Sequence, residues 1–92
     1  MKGKRSQDMI ISQILEVCVD GASKTSIVYK SNLNFKTATP YIDLLVKRRL
    51  IETIQDDCIL YKTTKEGIEF MNSFKRHQKE ILKLRIAIED TT

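Results

Sequence analysis

Residues 23–50 read SKTSIVYKSNLNFKTATPYIDLLVKRRL. Six basic side chains (Lys24, Lys30, Lys36, Lys47, Arg48 and Arg49) stand there against one acid, Asp43. Ser23 is placed to cap a short helix over Lys24–Lys30, with Ile27 and Val28 turned inward. The polar break Ser31-Asn32-Leu33-Asn34 follows, in which Leu33 is the lone apolar residue and plugs the core. Asn34 then caps another helix whose inner stripe is Phe35, Ala38, Ile42, Leu45 and Val46. Two cationic helices joined by a tight turn have the layout of a helix-turn-helix, which lays one helix in the DNA major groove.

Pro40 complicates the second of these helices. At its sixth position proline removes the bond to the Lys36 carbonyl, which in a helix interior costs about 3 kcal/mol. Alternatively, Thr39 caps a shorter helix that Pro40 begins. Because the apolar spacing starts at Phe35, the longer and locally bent helix is favoured.

On the N-terminal side, Ser6 caps a first helix over about Gln7–Val19, and Asp8 lies near its positive end. Met9, Ile10, Ile14, Leu15, Val17 and Cys18 recur near the helical period, and Gly21 supplies a left-handed residue to end the run. On the C-terminal side, Ile51–Gln55 and Cys58–Lys62 are rich in β-formers and flank Asp56-Asp57, which predicts a β-hairpin. Thr63 and Glu66 form a capping box for a last helix from Thr64 to about Glu89. That helix measures roughly 39 Å at 1.5 Å per residue, so its far end must project from the body. Three helices and a hairpin give the order of a winged helix. The expected fold class is α+β, mostly α: a winged helix-turn-helix DNA-binding domain over 1–63, then a C-terminal dimerisation helix over 64–92.

The chain has 92 residues and a formal net charge of +4, enough for one small domain and favourable to an anionic partner. Residues 23–50 alone carry +5, and Lys2, Lys4 and Arg5 form a basic N-terminal arm, so the remainder is net acidic. Two cysteines forty residues apart offer neither a disulfide framework nor a paired metal spacing, and Cys18 and Cys58 read as small buried hydrophobes of a reduced, cytoplasmic chain. His77 joins them in no zinc spacing. No signal peptide or membrane-spanning apolar run is seen. No phosphate loop or nucleophile motif occurs, so neither an enzyme nor a cofactor is expected, nor a small-molecule substrate.

Lys36, Thr37 and Thr39 sit near the N-terminus of the expected recognition helix, the end that usually meets base edges. Lysine can donate to guanine, and threonine can bond a base or offer its methyl to thymine. Lys24, Lys30, Lys47, Arg48 and Arg49 suit phosphate contacts that hold register without reading sequence, and Thr25 is a further candidate DNA contact. Asp56 and Asp57 at the hairpin tip would repel DNA, so the hairpin is expected to be mainly structural.

In the last helix Gly67, Phe70, Phe74, His77, Ile81, Leu84 and Ile88 follow alternating steps of three and four, a heptad seam. Ile68, Met71 and Phe74 can reach the body, whereas Ile81, Leu82, Leu84, Ile86 and Ile88 lie too far out. The seam predicts self-association through Phe74, His77, Ile81, Leu84 and Ile88, with His77 as a polar residue that fixes register.

These residues resemble a family of small archaeal winged-helix DNA-binding proteins that dimerise through a C-terminal antiparallel coiled coil. The likeness rests on Ile10-Ile11-Ser12-Gln13-Ile14-Leu15, on Gly21 through Lys30, on Ser31-Asn32-Leu33-Asn34-Phe35-Lys36, on Tyr41 through Leu45, on Leu50-Ile51, and on Tyr61-Lys62-Thr63-Thr64-Lys65-Glu66-Gly67. It implies a homodimer on double-stranded DNA, cytoplasmic and nucleoid-associated, acting as a transcriptional regulator or chromatin protein. Tyr29, Lys30 and Lys36 fall where the family keeps similar residues; Pro40 and the acidic hairpin tip depart from its pattern. The rival expectation is a protein–protein interaction module of a larger complex that does not touch DNA.

Overall fold

The computed structural model describes residues 6–90. The order is α1 (Gln7–Val17), α2 (Lys24–Ser31), α3 (Phe35–Lys47), β1 (Ile51–Gln55), β2 (Ile59–Thr63) and α4 (Lys65–Asp90). Each of the first three helices begins at a side-chain cap. Ser6 accepts from the Met9 amide, Ser23 from Ser26 and Asn34 from Thr37, at 3.1, 3.2 and 2.7 Å. The caps expected for these three helices are therefore in place. α1 stops at Val17, two residues short of the expected end, and Gly21 takes φ +93° in the turn beyond it.

α3 is the longer helix, and Pro40 lies inside it. Pro40 is exposed, so the Lys36 carbonyl deprived of its donor faces water rather than the core. One residue earlier the Thr39 hydroxyl donates to the Phe35 carbonyl at 2.7 Å, a back-bond that favours local bending. α3 ends in a Schellman turn, with the Leu50 amide on the Leu45 carbonyl and the Arg49 amide on Val46. Arg49 occupies the left-handed position at φ 64°, where glycine is the usual residue.

The core lies where α1, α2 and α3 meet the base of the hairpin. Ile14, Leu15, Cys18, Ile27, Ala38, Ile42, Leu45 and Ile51 are essentially fully buried, and Met71 of α4 closes the cluster. Cys18 is thus the small buried hydrophobe expected of it, and burial pushes its thiol up to about 12. Cys58, assigned the same role, is exposed. It sits in the Asp56-Asp57-Cys58 turn between the paired ends Gln55 and Ile59, too far out for any core atom to cover it. The second strand consequently starts at Ile59, one residue later than expected.

β2 is tied to the body at its near end. Ala22 exchanges two backbone bonds with Tyr61, at 2.9 and 2.8 Å, and serves as a one-residue third strand. Thr63 is buried, its hydroxyl donating to the Leu15 carbonyl at 2.6 Å. The capping box expected from Thr63 and Glu66 therefore gives way to a different cap. Thr64 accepts from the Gly67 amide at 3.1 Å, while its own hydroxyl donates to the Arg49 carbonyl at 2.8 Å. Gly67 is required for packing: a Cβ there would collide with the Leu50 carbonyl and the Thr63 methyl. The first turn of α4 can lie against residue 50 only because that side chain is missing.

Beyond Met71 the helix leaves the body. Phe74 is half-buried, Lys75 meets Glu16 of α1 at 3.5 Å, and Lys75 through Asp90 are all exposed. The molecule measures 57 × 30 × 19 Å, its long dimension reflecting this overhang. Among the described residues no helix is long and apolar enough to cross a membrane.

Candidate nucleic-acid interface

α2 and α3 are separated by three residues, Asn32, Leu33 and Asn34. Asn32 adopts φ 57°, ψ 45°, the left-handed geometry that asparagine tolerates better than most side chains. The Leu33 amide then bonds back to the Val28 carbonyl at 3.1 Å while its side chain packs partly onto the core. The polar break is thus a tight turn that fixes how α3 leaves α2.

Ala38, Ile42 and Leu45 anchor α3 in the core. Helical spacing puts Lys36, Pro40, Asp43 and Lys47 in line on the opposite side, and all four are exposed. Thr37 lies exposed on one flank of this ridge. Thr39 lies half-buried on the other, with its hydroxyl proton committed to Phe35. α2 contributes exposed Thr25 and Lys30, whereas Lys24 is partly covered in the first turn. Arg48 stands apart from the ridge. It lines a cleft with Ile11, Leu44, Leu45, Leu50 and Phe70, at the junction of α1, α3 and α4. The N-terminal arm residues Lys2, Lys4 and Arg5 lie outside the described residues.

Two aromatic residues add to this surface. Tyr29 of α2 is 83% exposed. Phe35, expected in the inner stripe, is half exposed because the first residue of α3 begins before the core does. Spacing alone could not find this, since Phe35 continues the apolar period of Ala38 and Ile42. The capping role of Asn34 marks Phe35 as a helix-end position and is the one sequence signal that hinted at it.

The hairpin extends outward with little burial beyond Ile51 and Thr63, and its tip holds Asp56 and Asp57. Ile54 and Ile59 are 40% and 46% exposed. Register sets Glu52 opposite Lys62 and Ile54 opposite Leu60, so one face carries both a charge pair and an apolar pair. Among the described residues no three His, Cys, Asp or Glu side chains gather as a metal-binding group.

A family model described as winged helix-turn-helix matches residues 4–82, most of the chain. The chain belongs to the winged helix-turn-helix family. An uncharacterized protein of Methanocaldococcus jannaschii is 33% identical over 78 residues, spanning 76% of this chain and 80% of that one. Among solved structures, Sso10a-2, a DNA-binding protein from Sulfolobus solfataricus, superposes with a TM-score of 0.77 at 20% identity, over 96% of this chain and 97% of that one. MepR, a transcription regulator of the Staphylococcus aureus multidrug efflux pump MepA, gives 0.73 at 17% identity, over 88% of this chain and 62% of its own. The chain shares its winged helix-turn-helix fold with an archaeal DNA-binding protein and a bacterial transcription regulator.

Proposed function

We propose that this winged helix-turn-helix chain binds double-stranded DNA as a homodimer and acts as a transcriptional regulator without enzymatic activity. The observation that carries the reading is the exposed ridge of α3. Lys36 and Lys47 stand on it, with Thr37 beside them, on a helix held by its opposite face and presented by a rigid turn. In this reading Lys36 and Thr37 meet base edges, Thr39 offers its methyl, and Lys24, Thr25, Lys30, Lys47 and Arg48 hold phosphates. Phe35, at the start of α3, adds an apolar contact suited to a thymine methyl. Asp43 on the same ridge favours a cytosine amino group and repels phosphate. Residues 1–63 form the DNA-binding unit and 64–92 the dimerisation helix, whose first ten residues also complete the core of the body.

Dimerisation is supported by the distal half of α4. Ile81, Leu82, Leu84, Ile86 and Ile88 are between 42% and 65% exposed on the part of α4 that is exposed throughout. Apolar surface on that scale on a water-soluble domain marks an interface. The test is fluorescence anisotropy of a labelled random-sequence duplex across salt. Affinity is expected to fall steeply between about 50 and 200 mM salt, with Lys47→Ala weakening it further and lowering the salt slope by about one per chain. Absence of binding at the lowest salt would refute the reading and favour a protein partner.

A further inference from the structure

Residues 23–50 hold a single acid, Asp43, and it stands on the exposed ridge of α3 between Pro40 and Lys47. A carboxylate facing a polyanion repels it, so a surface built only to hold phosphates has no use for one there. Nor does Asp43 serve the fold. It is exposed, and the one salt bridge among the described residues joins Lys75 to Glu16, so Lys47 one turn on leaves it unpaired. Thr39, one turn back, has its hydroxyl proton committed to the Phe35 carbonyl. Pro40 has no N–H to offer and adds a rigid apolar step before Asp43 on the ridge. The carboxylate keeps its full accepting capacity for something outside the chain.

The bases offer such an acceptor unequal partners. In the major groove guanine shows two acceptors, thymine an acceptor and a methyl group, and adenine an acceptor beside its amino donor. Cytosine shows a donor with no acceptor of its own. We propose that Asp43 makes this chain selective for sites with a cytosine under the middle of α3. It accepts from the cytosine amino group, and against any other base its charge stays unpaired in the groove. The inference rests on the DNA reading above and deepens it from duplex binding to sequence selection. Lys36 precedes Asp43 by seven residues on the same ridge, about 10.5 Å, or about three base-pair steps. A guanine for the lysine and a cytosine for the aspartate, about three pairs apart, are the expected signature. The Pro40 ring faces the interval between them and suits a thymine methyl.

The test uses the full chain and selects bound fragments from a pool of random duplexes at about 100 mM salt. The parent chain is expected to enrich a cytosine whose change to thymine weakens binding about tenfold or more. Asp43→Asn, nearly the same shape at an exposed position, is expected to move that preference to adenine, which asparagine pairs with bidentately. Asp43→Ala is expected to leave the position unconstrained and to bind random duplex about tenfold more tightly than the parent, because a repelling charge is gone. Duplex binding without an enriched position overturns the inference and leaves DNA binding standing. So does one sequence selected by both the parent and Asp43→Asn, or a random-duplex affinity that Asp43→Ala fails to raise. A parent chain that binds no duplex even at low salt removes both readings.

Discussion

The two halves of α4 share one apolar rhythm and meet opposite fates. Up to Phe74 the stripe lands on the chain's own body: Gly67 lies against the Leu50 carbonyl and Met71 enters the core. From Lys75 onward the same rhythm continues into solvent, with Leu84 and Ile88 about two-thirds exposed. A heptad pattern thus specifies that a face will be buried without specifying by whom. In the first half the answer is intramolecular, fixed by a residue with no side chain; in the second, on the dimer reading proposed above, it comes from a second copy.

The strongest way to break the comparison is to charge the outer half. Ile81→Lys with Leu84→Lys would bury four ammonium groups per dimer, and a loss of about 5 kcal/mol of association is expected, leaving a monomer by sedimentation. Duplex affinity should drop with it, because the second binding surface is lost. The thermal stability of the body should barely move, since neither residue touches it. The inner half is broken by adding one methyl. Gly67→Ala forces α4 away from Leu50 and Thr63, with about 3 kcal/mol lost in urea unfolding. A smaller effect follows from Thr63→Val, which leaves the buried Leu15 carbonyl without its donor and costs about 1–2 kcal/mol by the same assay.

Two further changes sharpen the contrast from the body side. Arg49→Gly relieves a left-handed arginine at the end of α3 and should stabilise the fold by about 1 kcal/mol while removing one cation from the basic surface. The last concerns pH. Burial raises the Cys18 thiol from 9.0 to about 12, so the folded chain holds a proton that the unfolded chain releases near pH 9. Its contribution is intact below pH 9 and is lost as pH climbs toward 12; Cys18→Ala should flatten that part of the stability curve. At neutral pH a thiol reagent should titrate one cysteine per chain, Cys58, and two only after denaturation.

Much of this architecture was legible in the residues. Ser6, Ser23 and Asn34 announce three helix starts because their side chains replace missing backbone partners, a local requirement that needs no tertiary knowledge. The longer α3 was legible too, since apolar spacing from Phe35 outweighed one proline whose lost bond faces water. What stayed hidden depends on where the body ends. Phe35 and Cys58 are apolar residues in suitable patterns, yet the first precedes the core and the second sits at a hairpin tip beyond it. The cap of α4 moved from Thr63 to Thr64 because the Leu15 carbonyl, 48 positions away in sequence, claims the Thr63 hydroxyl. In the candidate site the ridge of Lys36, Thr37 and Lys47 followed from helical spacing. The placement of Arg48 in one cleft with Ile11 and Phe70 did not, because it requires knowing how the end of α3 lies relative to α1 and α4.

The most direct test of a doubled, DNA-facing winged helix is sedimentation of a labelled duplex with the intact chain at about 50 mM salt. Two chains bound per duplex, falling to none as salt is raised, is the predicted result. A duplex that sediments unchanged with excess chain present would contradict it.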